Sequence, residues 1–141
     1  METTRDLSRF IVAQQRDYQT ALAEIQNGRK MSHWMWYIFP QIQGLGKSLT
    51  SQYYAIQDID EARDFLKNSY LRNNLVQICQ ALLLLQTNNA TEVFGKPDDM
   101  KLRSSMTLFA CASEGDSVFT QVLIKFFDGK PDNRTKKLLG M

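Results

Sequence analysis

The feature that most constrains this chain is a stripe in "SYLRNNLVQICQALLLLQ". Leu71, Leu75, Ile78, Leu82 and Leu85 recur at steps of three and four. That is the spacing at which side chains share one face of an α-helix. The same period runs from Asp6 to about Asn27, through Leu7, Phe10, Ile11, Tyr18, Leu22 and Ile25. Each stripe must be buried, and no segment alternates strongly enough to offer a sheet as the covering layer. Helix against helix is the packing that remains.

The punctuation between the stripes agrees. Asp6 is placed to cap the first helix, and "NG" at Asn27 and Gly28 to end it. Ser32 is placed to cap a short helix through "HWMWYIF", which Pro40 closes. "QIQGLGKS" reads as a loop, and "SLTSQYYAI" as either extended or helical. Asp58 or Asp60 opens "DEARDFLKN"; "TEVFG" is a single turn. "PDDMKLRSSMTLFACA" and "PDNRTKKLLG" start with proline and acids, and Asp116 or Ser117 starts "VFTQVLIKFFDG". The reading is all-α: six or seven helices in a single compact, irregular or orthogonal bundle over residues 1–141.

Composition narrows the function. With 17 basic and 15 acidic residues the net charge is +2, too balanced for the basic face of a nucleic-acid binder. The longest aliphatic run, Ala81 to Leu85, is far below the ~20 residues that cross a bilayer. No signal-peptide pattern opens the chain. Cys79 and Cys111 with one histidine cannot complete a four-ligand zinc site, so they read as reduced core thiols of a cytoplasmic protein. No cofactor is implied. Oligomeric state is open between monomer and homodimer.

Two stretches carry chemistry. "SHWMWYIFPQIQGLGKS" holds the single histidine and both tryptophans. Its "GLGKS" lacks the first glycine of a phosphate loop, since Gln41 stands there, and it follows no strand. A short glycine turn binding an anion through backbone amides needs only local geometry. If residues 33–39 are helical, apolar side chains point all round, so this helix is either central or faces a pocket. Trp34, Met35, Ile38 and Phe39 read as core. His33, in the first turn by this reading, would be held neutral by the helix dipole and available as a base. A hydrogen-bonded structural histidine is the plainer alternative.

The second stretch is "FGKPDDMKLRSSMTLF". One of Asp98 and Asp99 is expected to cap, and Asp99 and Arg103, four apart, could pair, which is the plainer alternative to a ligand role for Arg103. Ser104 and Ser105 are mediocre helix formers in a helix interior, and they fit a ligand or a tight helix crossing.

These stretches, with "DLSRFIVAQ", "EA..FL" and "VL.KFF.G", resemble a bacterial family catalogued as domain of unknown function 1810. The resemblance covers Asp6 to Gly140. It implies a small, mainly helical protein and supplies no established activity. Some members carry the label calpastatin. Calpastatin-type inhibitors are long disordered chains, whereas this composition is that of a compact globule.

The functional expectation is one polar, aromatic pocket for a small anionic ligand, derived from a phosphate or nucleotide. Its walls would come from Arg29, Lys30, Trp34, Trp36, Tyr37, Lys101, Arg103, Ser104 and Ser105, with His33 as the catalytic base of any hydrolase or transferase step. The alternative is a protein-interaction module or homodimer anchored by the tryptophan stretch.

Overall fold

The computed structural model describes residues 6–113 and 117–141. Among them nine helices follow in order: α1 (Ser8–Gln26), α2 (Met35–Ile38), α3 (Leu49–Tyr53), α4 (Ile59–Lys67), α5 (Ser69–Leu84), α6 (Ala90–Phe94), α7 (Asp98–Ala112), α8 (Val118–Phe127) and α9 (Asn133–Leu138). The fold is all-α, as expected. The count exceeds six or seven because the ambiguous stretch yields the five-residue α3 and the single turn yields α6. After a turn at Tyr54, the end of that ambiguous stretch is extended. Ile56 forms an isolated parallel bridge with Ile42, through Gln43 N to Ile56 O and Ile56 N to Gln41 O, both 2.8 Å.

Side-chain oxygens start most helices. Ser48, Asp58, Asn68, Asn89, Ser117 and Asp132 each accept from a backbone N–H three residues on. Three expected caps are corrected. Asp6 accepts from Ser8 N at 2.9 Å but sits one residue before the cap position. Ser32 gives its hydroxyl to Glu24, so α2 starts uncapped at Met35. Asp98 and Asp99 lie inside the first turn of α7, where their charge suits the dipole, but the cap position is Pro97. Asp116 lies outside the described residues.

A chain of rings threads the core. Phe10 on α1 meets Phe65 on α4 at 5.2 Å, Phe65 meets Phe109 on α7 at 5.1 Å, and Phe109 meets Phe119 on α8 at 5.8 Å. Edge and tilted ring contacts of this kind add to simple burial. The α5 stripe is buried from Leu71 to Leu82, with Leu85 at its margin. Cys79 is buried there against Met106, Sγ to Sδ 3.7 Å, and burial pushes its thiol up; both cysteines are free. Between α1 and α5 runs a polar seam. Tyr18 donates to Gln77 at 2.6 Å, Asn74 donates to Gln14 at 3.0 Å, and Gln14 donates to the Tyr37 carbonyl at 2.8 Å. No helix among the described residues is long and apolar enough to cross a membrane.

Candidate functional site

The aromatic stretch is organised by one carboxylate. Glu24 Oε1 accepts from Met31 N (2.7 Å), Ser32 N (2.9 Å) and the Trp34 indole (2.9 Å), and Oε2 accepts from Ser32 Oγ (2.6 Å). Burial alone would raise its pKa, but these bonds to the ionised form outweigh it and hold it at about 2. This turn delays the helix, so His33 lies before α2 rather than in its first turn. His33 is exposed, and its imidazole makes no hydrogen bond among the described residues.

Trp34 is 1% exposed and packs on Phe39 and Phe94, so it belongs to the core and offers no interface anchor. Tyr37 is also buried. Its hydroxyl donates to Asp17 and accepts from Arg16 at 3.3 Å. Burial, then the Asp17 bond, pushes that phenol up to about 12.

The two stretches do meet. Lys30 Nζ and Lys101 Nζ lie 2.9 and 3.4 Å from the carboxylate oxygens of Asp98. The same ammonium groups sit 5.1 Å from the Trp34 ring and 5.5 Å from the Trp36 ring. Lys30, Trp34, Trp36 and Lys101 therefore come together around an aspartate that neutralises much of the lysines' charge, rather than around a shared pocket. Arg29 is exposed beside them, on a shallow cleft it shares with Lys30 and Gly95.

The remaining expected residues turn elsewhere. Arg103 does not pair with Asp99. It donates to the carbonyls of Lys130 (3.0 Å) and Pro131 (2.9 Å), and Asp99 accepts from Thr91 Oγ1 at 2.6 Å. Ser104 bonds its own helix at Met100 O, 3.1 Å. Thr107 Oγ1 accepts from Asp132 N at 2.8 Å. This face of α7 thus holds the segment that starts α9. Ser105 is fully buried, and its hydroxyl is the one buried side-chain polar atom without a partner among the described residues.

A well-formed cavity of about 320 Å³ lies one step along the chain. Trp36 and Tyr54 supply aromatic surface, and the loop after Pro40 supplies Gln41, Gly44 and Gly46, with Ser51 of α3 beside them. The bridge at Ile42 and Ile56 draws the ends of residues 43–55 together, as in an Ω-loop. Gly46 is required there, because a Cβ would lie 2.5 Å from Ser51 Oγ. Gly44 has φ +100°, a conformation reserved for glycine, and Leu138 of α9 packs over it. Arg134 of α9 donates to the Gly44 carbonyl at 3.3 Å.

None of the described residues that line this cavity is charged. Three of its polar groups are unengaged: the Trp36 indole N–H, the Gln41 carboxamide and the Tyr54 hydroxyl make no hydrogen bond among the described residues. The backbone N–H groups of residues 44–48 also donate to no protein acceptor there. No group of metal-ligating side chains occurs among the described residues. Of this cavity, sequence reasoning named Trp36 and the glycine loop but missed Gln41, Ser51 and Tyr54. The two glycines flanked by amide and hydroxyl side chains were the available signal, and the bridge that folds them inward was not.

No curated protein matches this chain. Among solved structures, the chain is similar to the conserved hypothetical protein Rv1873 from Mycobacterium tuberculosis. The two share 40% identity and a TM-score of 0.93, over 96% of this chain and 97% of that one. The profile of the family described as "Protein of unknown function (DUF1810)" matches residues 4–139. With a match over nearly its whole length, in the very stretches that build the tryptophan turn, the glycine loop and the α7 face, the chain belongs to the DUF1810 family.

Proposed function

We propose that this domain binds a small planar ligand rich in hydrogen-bond acceptors, of the nucleobase or nucleoside class, in the cavity between Trp36, Tyr54 and the glycine loop. The observation that carries the reading is the convergence of unengaged groups on one cavity. Trp36, Gln41 and Tyr54, whose polar side-chain groups make no hydrogen bond among the described residues, line it, with aromatic surface suited to stacking. A cavity near 300 Å³ is of the size that takes such a ligand. A phosphate on the ligand would meet the backbone N–H groups of Gly44 and Gly46, which donate to no acceptor among the described residues, rather than the basic side chains. Lys30, Lys101 and Arg103 are already engaged within the fold. The reading is one of binding; His33, outside the cavity lining, supplies no base to it.

Trp36 makes the test direct. Titration with adenosine, uridine and their monophosphates should quench its fluorescence, while the buried Trp34 contributes a constant background. Ligand at a hundredfold excess over its Kd should stabilise the fold by about 2.7 kcal/mol in a melting experiment. The Trp36→Leu and Gln41→Ala variants should lose that shift. If no nucleoside or nucleotide moves either signal, the reading is wrong.

A further inference from the structure

A second concavity shares no residue with the first. Between α4, α5, the end of α7 and the start of α8 runs a groove of about 390 Å³. Its floor is apolar. Leu66 and Val76 are half-buried, and Ala112 and Phe119 form the base. Its rim is cationic, with Arg63 and Lys67 one turn apart on α4 and Arg72 in the first turn of α5, all three exposed.

Several other cations of the chain are engaged within the fold. Arg9 meets Glu61 at 3.0 Å, Lys30 meets Asp98, and Arg103 and Lys125 donate to backbone carbonyls. Around the groove, Arg63 has only a loose, exposed contact with Asp60 at 3.6 Å, of a kind worth little. Lys67 and Arg72 have no ion pair among the described residues, and no acidic residue among them lines the groove.

We infer that this groove docks an acidic peptide segment of a partner protein that carries an apolar side chain. The apolar residue would lie against Leu66 and Val76, and carboxylates on either side of it would reach Arg63, Lys67 and Arg72. Charge complementarity selects this occupant. Three cations spread over two helices cannot be matched by the single head group of a fatty carboxylate, whereas a peptide places several acids along its length. Such rim charges act mainly on encounter and specificity, and an apolar anchor supplies the residence time.

Selection of a random displayed-peptide library on the intact protein tests this. Enriched peptides should combine Asp or Glu with Leu, Phe or Trp. Measured by fluorescence anisotropy, their binding should weaken about tenfold or more in K67E/R72E, less in K67Q/R72Q, and should fall with added salt. Both positions are exposed, so the melting temperature of each variant should stay near that of the parent and certify the fold. The inference is overturned if no peptide is enriched, or if enriched peptides bind K67E/R72E as well as the parent. It is also overturned if amide versions of the acidic peptides bind equally, or if dodecanoate stabilises the protein at this groove while peptides do not.

Discussion

Glu24 shows how much one residue can organise. It serves two backbone amides, a hydroxyl and an indole, and it fixes where the chain turns before α2. Its pKa, ordinarily about 4.5, falls to about 2 in the fold. A depressed carboxylate stabilises the folded state above its unfolded pKa, and that contribution is lost as pH falls from about 4.5 through about 2. Glu24→Gln should therefore be less stable than the parent at neutral pH, and the two should converge as acid titrations approach pH 2. Urea melts at several pH values check this; a gap that stays constant across that window would refute it. Ser105 is the reverse case, a polar group with nothing to serve. Its buried hydroxyl has no partner among the described residues, and serine is a poorer helix former than alanine. Ser105→Ala should raise stability by about 0.5–1.5 kcal/mol by chemical denaturation. A loss instead would mean that the hydroxyl has a partner in solution.

At the level of elements, the long helices were readable because burial imposes a period on sequence. The α1 and α5 stripes are buried where the spacing put them, and the acidic openings of α4 and α7 are helix starts. What sequence could not supply was the target of each polar side chain. Asp99 and Arg103 are correctly spaced for a pair, yet each finds a better partner on another segment. A guanidinium with two carbonyl acceptors and a ring near it, the Phe127 centroid at 6.0 Å, is a clamp on the turn into α9. Arg103→Ala should cost about 1–2 kcal/mol, since bonds from a charged donor are strong but this one is partly open to water. Because α9 packs on Gly44, the same variant should weaken any ligand of the cavity without touching it. Calorimetry of Arg103→Ala with the probe that quenches Trp36 measures both effects, and an unchanged affinity would separate the clamp from the cavity.

Across the whole molecule, firmness is unevenly distributed. The ring chain from Phe10 to Phe119 ties four helices into one core. Residues 45–54 differ. Among the described residues their hydrogen bonds are local: Ser51 to Ser48, Gln52 to Lys47, Tyr54 to Thr50, and the adjoining Ala55 to Gln52. No residue of α3 is buried, and Leu49 is 86% exposed. Native-state hydrogen exchange should show Gln52 and Tyr54 amides opening far below the global unfolding free energy, while Ile78 and Phe109 exchange only by global unfolding. Equal protection at both places would show that the loop is as firm as the core. This unevenness also explains why the candidate site was the harder part to read. Core positions obey a period, whereas a loop closed by one bridge obeys only turn chemistry, and its neighbours are chosen by contacts far along the chain. The bridge between Ile42 and Ile56 has one more consequence. Because it brings the two ends of the excursion side by side, everything between them can be cut out and exchanged for the corresponding stretch of a relative at little entropic cost. On the binding proposed above, grafting this loop between homologues should transplant the loop's share of ligand preference while the helical frame melts as before.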